Sequence, residues 1–521
     1  MKRQSKMLDL CITSWMRKEK EQEGILQPGK EAVMDTVRLR IRKLSRSVYT
    51  TPPKLLQQKA VKNALEKLHN DFVFVPTDKA ANNVAIVCKS FYIDVLLREL
   101  GVIVNANATK TFVESDFEEG KIVFEHVEQC SKWNIEVEVD TMTKLPLVYW
   151  MPKMHKNPTK FRFIAASKTC STKYLSAVLT KCLKLVQNQH QRYCKAIQNY
   201  SGFNRFWIID NSSPVLELVA KCNSKSVSDI RTYDFSSLYT SIPHSKLKGA
   251  IAWAIKKAFL GSGEKYINVR GSRVFWTNKK LSEKQKTTVQ VTKKELLDMV
   301  TYLIDNIFVK CGTKIFRQII GIPMGTDCAP FLANLFLYKY EFQFMEKMAK
   351  AKNPDIYEFR RVQRYLDDLL LINGGDVMDT YSKDIYPSEL VLKKENTDDQ
   401  LASFLCLFLT IKNKKLRYSL YDKRDDFPFE IVNYPNLSGN IYSSNAYGVL
   451  IGQLLRISEA CEEYDDFVKR SKRLIDKLLN QCFTTAGIKS RLISFYERHP
   501  TSVRKYGIDH SHLVGILESY N

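Results

Sequence analysis

Acidic residues are missing altogether from Thr141 to Ile209, a stretch that holds 12 Lys or Arg. A solvated face mixes both signs, so a one-sign segment interleaved with Tyr149, Trp150, Phe161, Phe163, Gln187 and Gln189 points to phosphate contact. No apolar run approaches the ~20 residues that cross a bilayer. No amphipathic segment joins a strong apolar face to the basic one, which sets a membrane surface behind nucleic acid as the partner. The 12 cysteines form no CxxC pair and no Cys/His cluster with zinc spacing. Cys170, Cys182 and Cys194 recur at twelve-residue steps, a spacing that matches no ligand pattern. The start, Met1 to Trp15, is broken by Asp9 and followed by Arg17-Lys18-Glu19-Lys20, a poor signal peptide. Reduced thiols in the nucleus or cytoplasm, not secretion, are expected. Internal repeats and long low-complexity tracts are absent too, so disorder is not the expectation.

At 521 residues, 44% hydrophobic, the chain can build more than one core, and two to four domains are expected. A formal charge of +24 calls for a polyanionic partner. The start reads as a basic helical extension over residues 1–70, with a helix from Thr36 to Ser47 and a break at Pro52-Pro53. Phe72 to Pro76 and Val84 to Val87 read as a hairpin within an α/β region over 71–145. Leu147 to Trp150 and Phe161 to Ile164 read as a second pair, and Ser171 to Gln189 as a helix. Further on, the pattern predicts a strand from Val227 to Phe235 and helices over Lys246 to Phe259 and Glu295 to Val309. A polar hairpin-like insertion lies between those helices. A long helix from Asp327 to Lys347 has Phe331, Leu335, Tyr338, Phe342 and Met345 on one face. Val362 to Ile372 and Leu401 to Tyr421 read as hairpins, the latter turning at Asn413-Lys414. From Val449 on, Leu474, Leu478 and Leu479 are expected inside a basic helical region.

The acids stand out against this background. Asp367-Asp368 is flanked by Arg364-Tyr365-Leu366 and Leu369-Leu370-Leu371-Ile372, too apolar a strand for a solvated turn. Two carboxylates at ~4 Å repel by about 4 kcal/mol near a protein surface. A divalent cation offsets that cost, because hard ions take oxygen ligands. Asp234 ends its own strand, and Tyr239 follows five positions later. An aromatic at that place can pack under the sugar of an incoming nucleotide and exclude a 2′ hydroxyl, although a core tyrosine has the same pattern. Gly321-Ile322-Pro323-Met324-Gly325-Thr326 feeds the long helix, and glycines there let backbone approach a base pair or phosphate closely. Nucleotidyl transfer uses two divalent ions roughly 3.5–4 Å apart, held by carboxylates on rigid elements.

Taken in order, these segments resemble the reverse transcriptases of Penelope-like retroelements, relatives of telomerase. The likeness rests on Pro152 to Lys156 (PKMHK), Phe161 to Ile164 (FRFI), Asp234 to Pro243 (DFSSLYTSIP), Gly321 to Asn334 (GIPMGTDCAPFLAN) and Tyr365 to Asp368 (YLDD). Phe404 to Leu407 and Lys415 to Lys423 are similar to the family's segment after the acidic hairpin, and the likeness runs from Phe72 to Tyr506. It implies an α+β right-hand polymerase. Fingers and palm would span 146–442, the palm being an antiparallel sheet flanked by helices, and a helical thumb would span 443–521. It implies RNA-directed DNA synthesis with two Mg²⁺ or Mn²⁺ ions, an RNA template, a DNA primer or target, and dNTPs. Asp234 and Asp367 would ligate the ions directly, with Asp368 the third acid and the Phe235 carbonyl a further ligand. Lys153 and Arg162 would meet the incoming triphosphate, Tyr239 its sugar, and Gly325 the templating pair. Lys393 or Lys394 would protonate the departing pyrophosphate. Many members carry a GIY-YIG nuclease at the C-terminus, whose signature does not occur from Glu459 to Asn521, so target cleavage is not expected of this chain. Cys406 stands where the family commonly has an acid.

Two other readings share parts of the pattern. An RNA-dependent RNA polymerase uses the same acids, but Tyr239 and the YLDD hairpin favour deoxynucleotides. A domesticated nucleic-acid-binding protein without catalysis accounts for the charge, but not for clustered carboxylates beside a phosphate backbone.

Overall fold

The computed structural model describes residues 59–103, 111–137, 144–154, 160–281, 288–323, 325–439 and 441–517. The expected helix from Thr36 to Ser47 lies outside them. Two compact units divide the described residues: Val73–Val432 with Ala460–Glu463, and residues 59–72 with Asn433–Glu459 and residues 464–517.

The larger unit opens after α1 (Lys59–Asp71) with a hairpin of β1 (Phe72–Thr77) and β2 (Ala80–Cys88), followed by α2 (Lys89–Glu99), β3 (Phe112–Ser115) and α3 (Glu119–Lys132). A second hairpin, β4 (Val148–Pro152) with β5 (Phe161–Ala165), pairs Met151 with Arg162. It is seated by Trp150, whose ring stacks on Tyr92 at 4.5 Å and whose indole N–H donates to the Tyr92 carbonyl at 3.0 Å. Next comes α4 (Lys173–Ser201), which buries Leu175, Leu179, Leu183 and Val186. Its apolar pattern fades after Gln189, yet the helix continues until Gly202, whose φ of 75° ends it in the left-handed region.

After α5 (Ser213–Cys222) the chain enters β6 (Ile230–Ser236), a short turn of helix α6 (Leu238–Ser241) and α7 (His244–Ser262). The polar insertion is a three-stranded sheet of β7 (Tyr266–Arg270), β8 (Arg273–Thr277) and β9 (Thr288–Thr292). Helix α8 (Lys293–Asp305) starts at a capping box between Thr292 and Glu295. It ends short of the expected Val309, because Phe308–Cys311 (β10) pairs instead with β11 (Lys314–Gln318). The long helix α9 (Ala329–Lys350) is buried on more than the expected stripe: Leu332, Ala333, Phe336 and Leu337 join Leu335, Tyr338 and Met345 in the interior. A helix packed from several sides is a central element, not a surface one.

β12 (Val362–Tyr365) and β13 (Asp368–Ile372) form the expected hairpin, followed by α10 (Val377–Ile385) and β14 (Val391–Lys394). Together with β6 they build a four-stranded sheet in the order β12-β13-β6-β14, antiparallel throughout. Tyr233, Phe235, Leu369 and Leu371 share one core with α4, α7, α8 and α9, so one face of this sheet is backed by helices. Beyond it, Leu401–Phe404 (β15), Leu407–Lys412 (β16) and Lys415–Leu420 (β17) make three strands where one hairpin was expected. The extra turn uses Leu405 at φ 55°, a conformation its sequence does not announce.

In the smaller unit, α11 (Ser443–Ala460), α12 (Tyr464–Leu479) and α13 (Thr485–Arg498) bury Leu450, Leu454, Phe467, Leu474, Leu478, Ile488, Leu492 and Phe495. Leu479 is only half-buried. No helix among the described residues is long and apolar enough to cross a membrane.

Candidate active site

The antiparallel register of the four-stranded sheet sets one row of side chains across it. Asp368 pairs with Tyr365 on one side and with Asp234 on the other, and Asp234 pairs with Lys393. Directly opposed residues share a face with Cβ atoms about 4.5–5.5 Å apart. The row therefore reads Tyr365, Asp368, Asp234, Lys393, on the face opposite the helix-backed Tyr233 and Leu369. Strand alternation accounts for this, since residues 233 and 235 point inward and 234 outward. Asp367 occupies the two-residue turn with Leu366, beside the row. All three aspartates are half-buried.

Crowding shows in the electrostatics. Asp368 is raised to about 6 by burial, and further by Asp367, Asp234 and Glu395, against the lowering effect of Lys423. Tyr239 is raised to about 12 by burial and by the neighbouring Asp367 carboxylate. The Asp367 charge thus acts both on the acidic row and on the tyrosine expected to meet a sugar.

Tyr239 is fixed from below by the glycine turn. The Ile322 N–H donates to the Tyr239 carbonyl at 2.8 Å, and the Gly321 N–H to the Ile242 carbonyl at 2.7 Å. A Cβ at Gly321 would stand 2.5 Å from the Tyr239 carbonyl oxygen, so only glycine fits. Gly325, at φ 74°, lies against the end of β5: a Cβ there would stand 2.6 Å from the Ala165 carbonyl oxygen. The Ser167 hydroxyl donates to the Gly325 carbonyl. The start of α9 is tied to α4 through Asp327 and Lys173 at 2.6 Å and through the Cys328 N–H to Ser176 at 3.3 Å.

Arg162, half-exposed on β5, pairs with Asp78 at 3.1 Å. Asp78 is buried, and its second oxygen, Oδ2, has no hydrogen-bond partner among the described residues. Lys153 sits just past β4, its N–H donating to the Lys160 carbonyl at 3.1 Å. Lys394 is held by Asp399 at 2.5 Å, which leaves Lys393 as the lysine of the row. The acid-free run is not of one sign in space, because Arg162, Lys173 and Arg205 pair with Asp78, Asp327 and Glu346.

Among the described residues, no three Asp, Glu, His or Cys side chains converge closely enough to chelate an ion as they stand. The donor chemistry fits a divalent cation nonetheless. Oxygen ligands alone are offered, on backbones locked in register, and the like charges around Asp368 are those a cation relieves.

No family model and no curated protein matches the chain. Solved structures do. Telomerase from Candida albicans, in complex with the TWJ fragment of telomeric RNA, matches with a TM-score of 0.52 at 10% identity, over 88% of this chain and 72% of that one. Apo telomerase from Candida tropicalis follows at 0.44 and 10%, over 88% and 70%. The RNA-dependent RNA polymerase of a human picobirnavirus stands at 0.38 and 12%, over 90% of each chain. The fold is the right-hand polymerase fold. The sheet that carries the acidic row shares its core with α7 and α9.

Sequence reading missed several residues that bear on the candidate site residues. Glu395 and Lys423 act on Asp368 from segments whose local pattern says nothing of it. Asp78 lies 84 positions before Arg162. Arg364 was visible only as a flank of the YLDD hairpin, yet it is fully buried on Glu341.

Proposed function

We propose that the chain is an RNA-directed DNA polymerase of the Penelope-like kind that extends a DNA primer or target with dNTPs on an RNA template. The observation that carries this reading is the register pairing of Asp234 with Asp368, with Asp367 in the adjoining turn. Asp234 and Asp367 are assigned as direct metal ligands, Asp368 as the third acid, and the Phe235 carbonyl as a further ligand. Two Mg²⁺ or Mn²⁺ ions, when bound, would activate the primer 3′ hydroxyl and neutralise charge on the triphosphate.

The chain's own residues supply the rest. Arg162 and Lys153 bind the triphosphate, a guanidinium being suited to bidentate phosphate contact. Tyr239 closes the sugar pocket against a 2′ hydroxyl, and Gly325 lets backbone approach the templating pair. Lys393, in the row with Asp234, is the better of the two lysines to protonate pyrophosphate. The basic segment favours phosphate backbones as partners, and the telomerase of Candida albicans, which shares the fold, was solved with RNA. The domains proposed are an N-terminal extension over 1–70, a region over 71–145 leading into fingers and palm over 146–442, and a thumb over 443–521. The site of action proposed is the nucleus or cytoplasm.

Purified chain given an RNA template, a DNA primer, dNTPs and Mg²⁺ should extend the primer. Asp367→Asn should abolish extension while nucleic-acid affinity stays within about twofold, since it deletes a metal ligand and no phosphate contact. Full extension by that variant would discard the assignment, and preference for ribonucleotides by the wild type would turn the reading toward RNA synthesis.

A further inference from the structure

Arg364 and Glu341 form an ion pair in which both side chains have 0% exposure. The contact is bidentate, Nε to Oε1 at 2.6 Å and Nη2 to Oε2 at 3.1 Å. Tyr386 also donates its hydroxyl to Oε1 at 3.0 Å. Burying two charges costs about as much as their attraction returns, and apolar replacement of such pairs is often neutral or stabilising. Stability is thus a poor account of the pair, and what else the guanidinium touches suggests a better one.

Its Nη1 donates to the Leu366 carbonyl at 2.9 Å and to Asn334 Oδ1 at 3.0 Å, and Nη2 reaches the Asn334 carbonyl at 3.3 Å. Leu366 is the turn residue just before Asp367, and its φ of 54° is a left-handed conformation that strains a leucine. Such a turn persists only where its surroundings over-determine it. Asn334 and Glu341 lie seven residues, two helical turns, apart on α9, so they present one face to the hairpin. The backbone of Arg364 is pinned as well: its N–H donates to the Trp207 carbonyl at 2.7 Å, and its carbonyl accepts from Ile209 at 2.9 Å.

We infer that Arg364 is a positioning residue. Gripped by Glu341 and Asn334 of α9, it holds the Leu366 carbonyl and thereby sets where the Asp367 carboxylate stands. The inference rests on the reading of Asp367 as a metal ligand. It adds that the central helix and the acidic turn are one rigid piece, coupled through a single guanidinium. Lysine cannot make the fork that reaches Glu341, Asn334 and Leu366 together, so charge alone is not a substitute.

The test replaces the pair by apolar residues of similar volume, Arg364→Met with Glu341→Leu, and separately makes Arg364→Lys. The double variant should melt within a few degrees of wild type. Its kcat for primer extension should fall at least tenfold, with the KM for dNTP changed less than about threefold. The Mg²⁺ concentration giving half of the metal-induced rise in Tm should move up in both variants, a readout that needs no turnover. Arg364→Lys should fall between wild type and double variant in kcat. Wild-type kcat and an unmoved Mg²⁺ midpoint in the double variant would overturn the inference. Should that variant not fold, the same two values unchanged in Arg364→Lys would overturn it. Absence of extension by the wild-type chain would instead sink the polymerase reading, and the Mg²⁺ midpoint would still report on the turn.

Discussion

Asp234 and Asp368 stand opposite each other on neighbouring antiparallel strands, in register. Burial and the surrounding acids raise Asp368 to about 6 from its ordinary 3.8. A folded carboxyl that titrates above its unfolded value binds its proton more tightly in the native state. Its stabilising contribution is fully present below about pH 4, and is lost as pH rises through about 6. At neutral pH the ionised group therefore opposes folding. Asp368→Asn should raise stability at pH 7–8 in metal-free buffer, on the order of 2 kcal/mol after allowance for partial exposure. The gain should vanish by pH 4. Melting curves at both pH values check it, and an Asp368→Asn chain no more stable at pH 8 than wild type would contradict the crowding.

Tyr239 couples to the same cluster through Asp367, and its backbone is held by Ile322. If its ring closes the sugar pocket, Tyr239→Ala opens room for a 2′ hydroxyl without touching the acids. Incorporation of ribonucleotides relative to deoxynucleotides should rise at least tenfold, equivalent to about 1.4 kcal/mol of discrimination. Matched primer-extension assays with the two nucleotide sets measure it. Unchanged sugar discrimination would leave Tyr239 as a core tyrosine.

The acidic sheet was legible in the sequence because its signals are local. Asp367-Asp368 interrupts an apolar strand, and the alternation around Asp234 puts that acid on the face opposite Tyr233 and Phe235. The three-stranded sheet β15-β16-β17 was not legible, because Leu405 takes a positive φ with no glycine or asparagine to mark it. The last turns of α4 were missed for another reason. Gln189 to Ser201 has a polar helical surface without a stripe, and only Gly202 says where it stops. Pairs such as Asp78 with Arg162, or Glu341 with Arg364, come from tertiary packing of opposite charges far apart in the chain, which no window of local pattern contains.

The Asp78–Arg162 pair separates binding from folding at the β4–β5 hairpin. Arg162→Ala should raise the KM for dNTP about tenfold, the loss of one charge-assisted contact. It also strands the Asp78 carboxylate, which has 3% side-chain exposure, and should cost roughly 1–3 kcal/mol of stability. Removing both, Asp78→Ala with Arg162→Ala, should restore most of the stability and none of the nucleotide affinity. If the double variant recovered both, Arg162 would be a structural partner of Asp78 and no part of the nucleotide site.

Gly325 offers a test of the contact between the glycine turn and the β4–β5 hairpin. Its φ of 74° disfavours any L side chain, and a Cβ would meet the Ala165 carbonyl oxygen at 2.6 Å and Ser167 Oγ at 2.8 Å. The serine can rotate, but the carbonyl is backbone at the end of β5, the strand that carries Arg162. Gly325→Ala must therefore push the turn and the hairpin apart, at a cost of at least about 1 kcal/mol from the backbone conformation alone. Both Tm and the affinity for dNTP should fall. Gly249→Ala is the matching control: it lies inside α7 with nothing within 4 Å of a new Cβ, and should raise stability by about 0.5–1 kcal/mol with extension unchanged. Equal effects of the two substitutions on Tm and on KM would mean that the turn does not bear on β5 in solution.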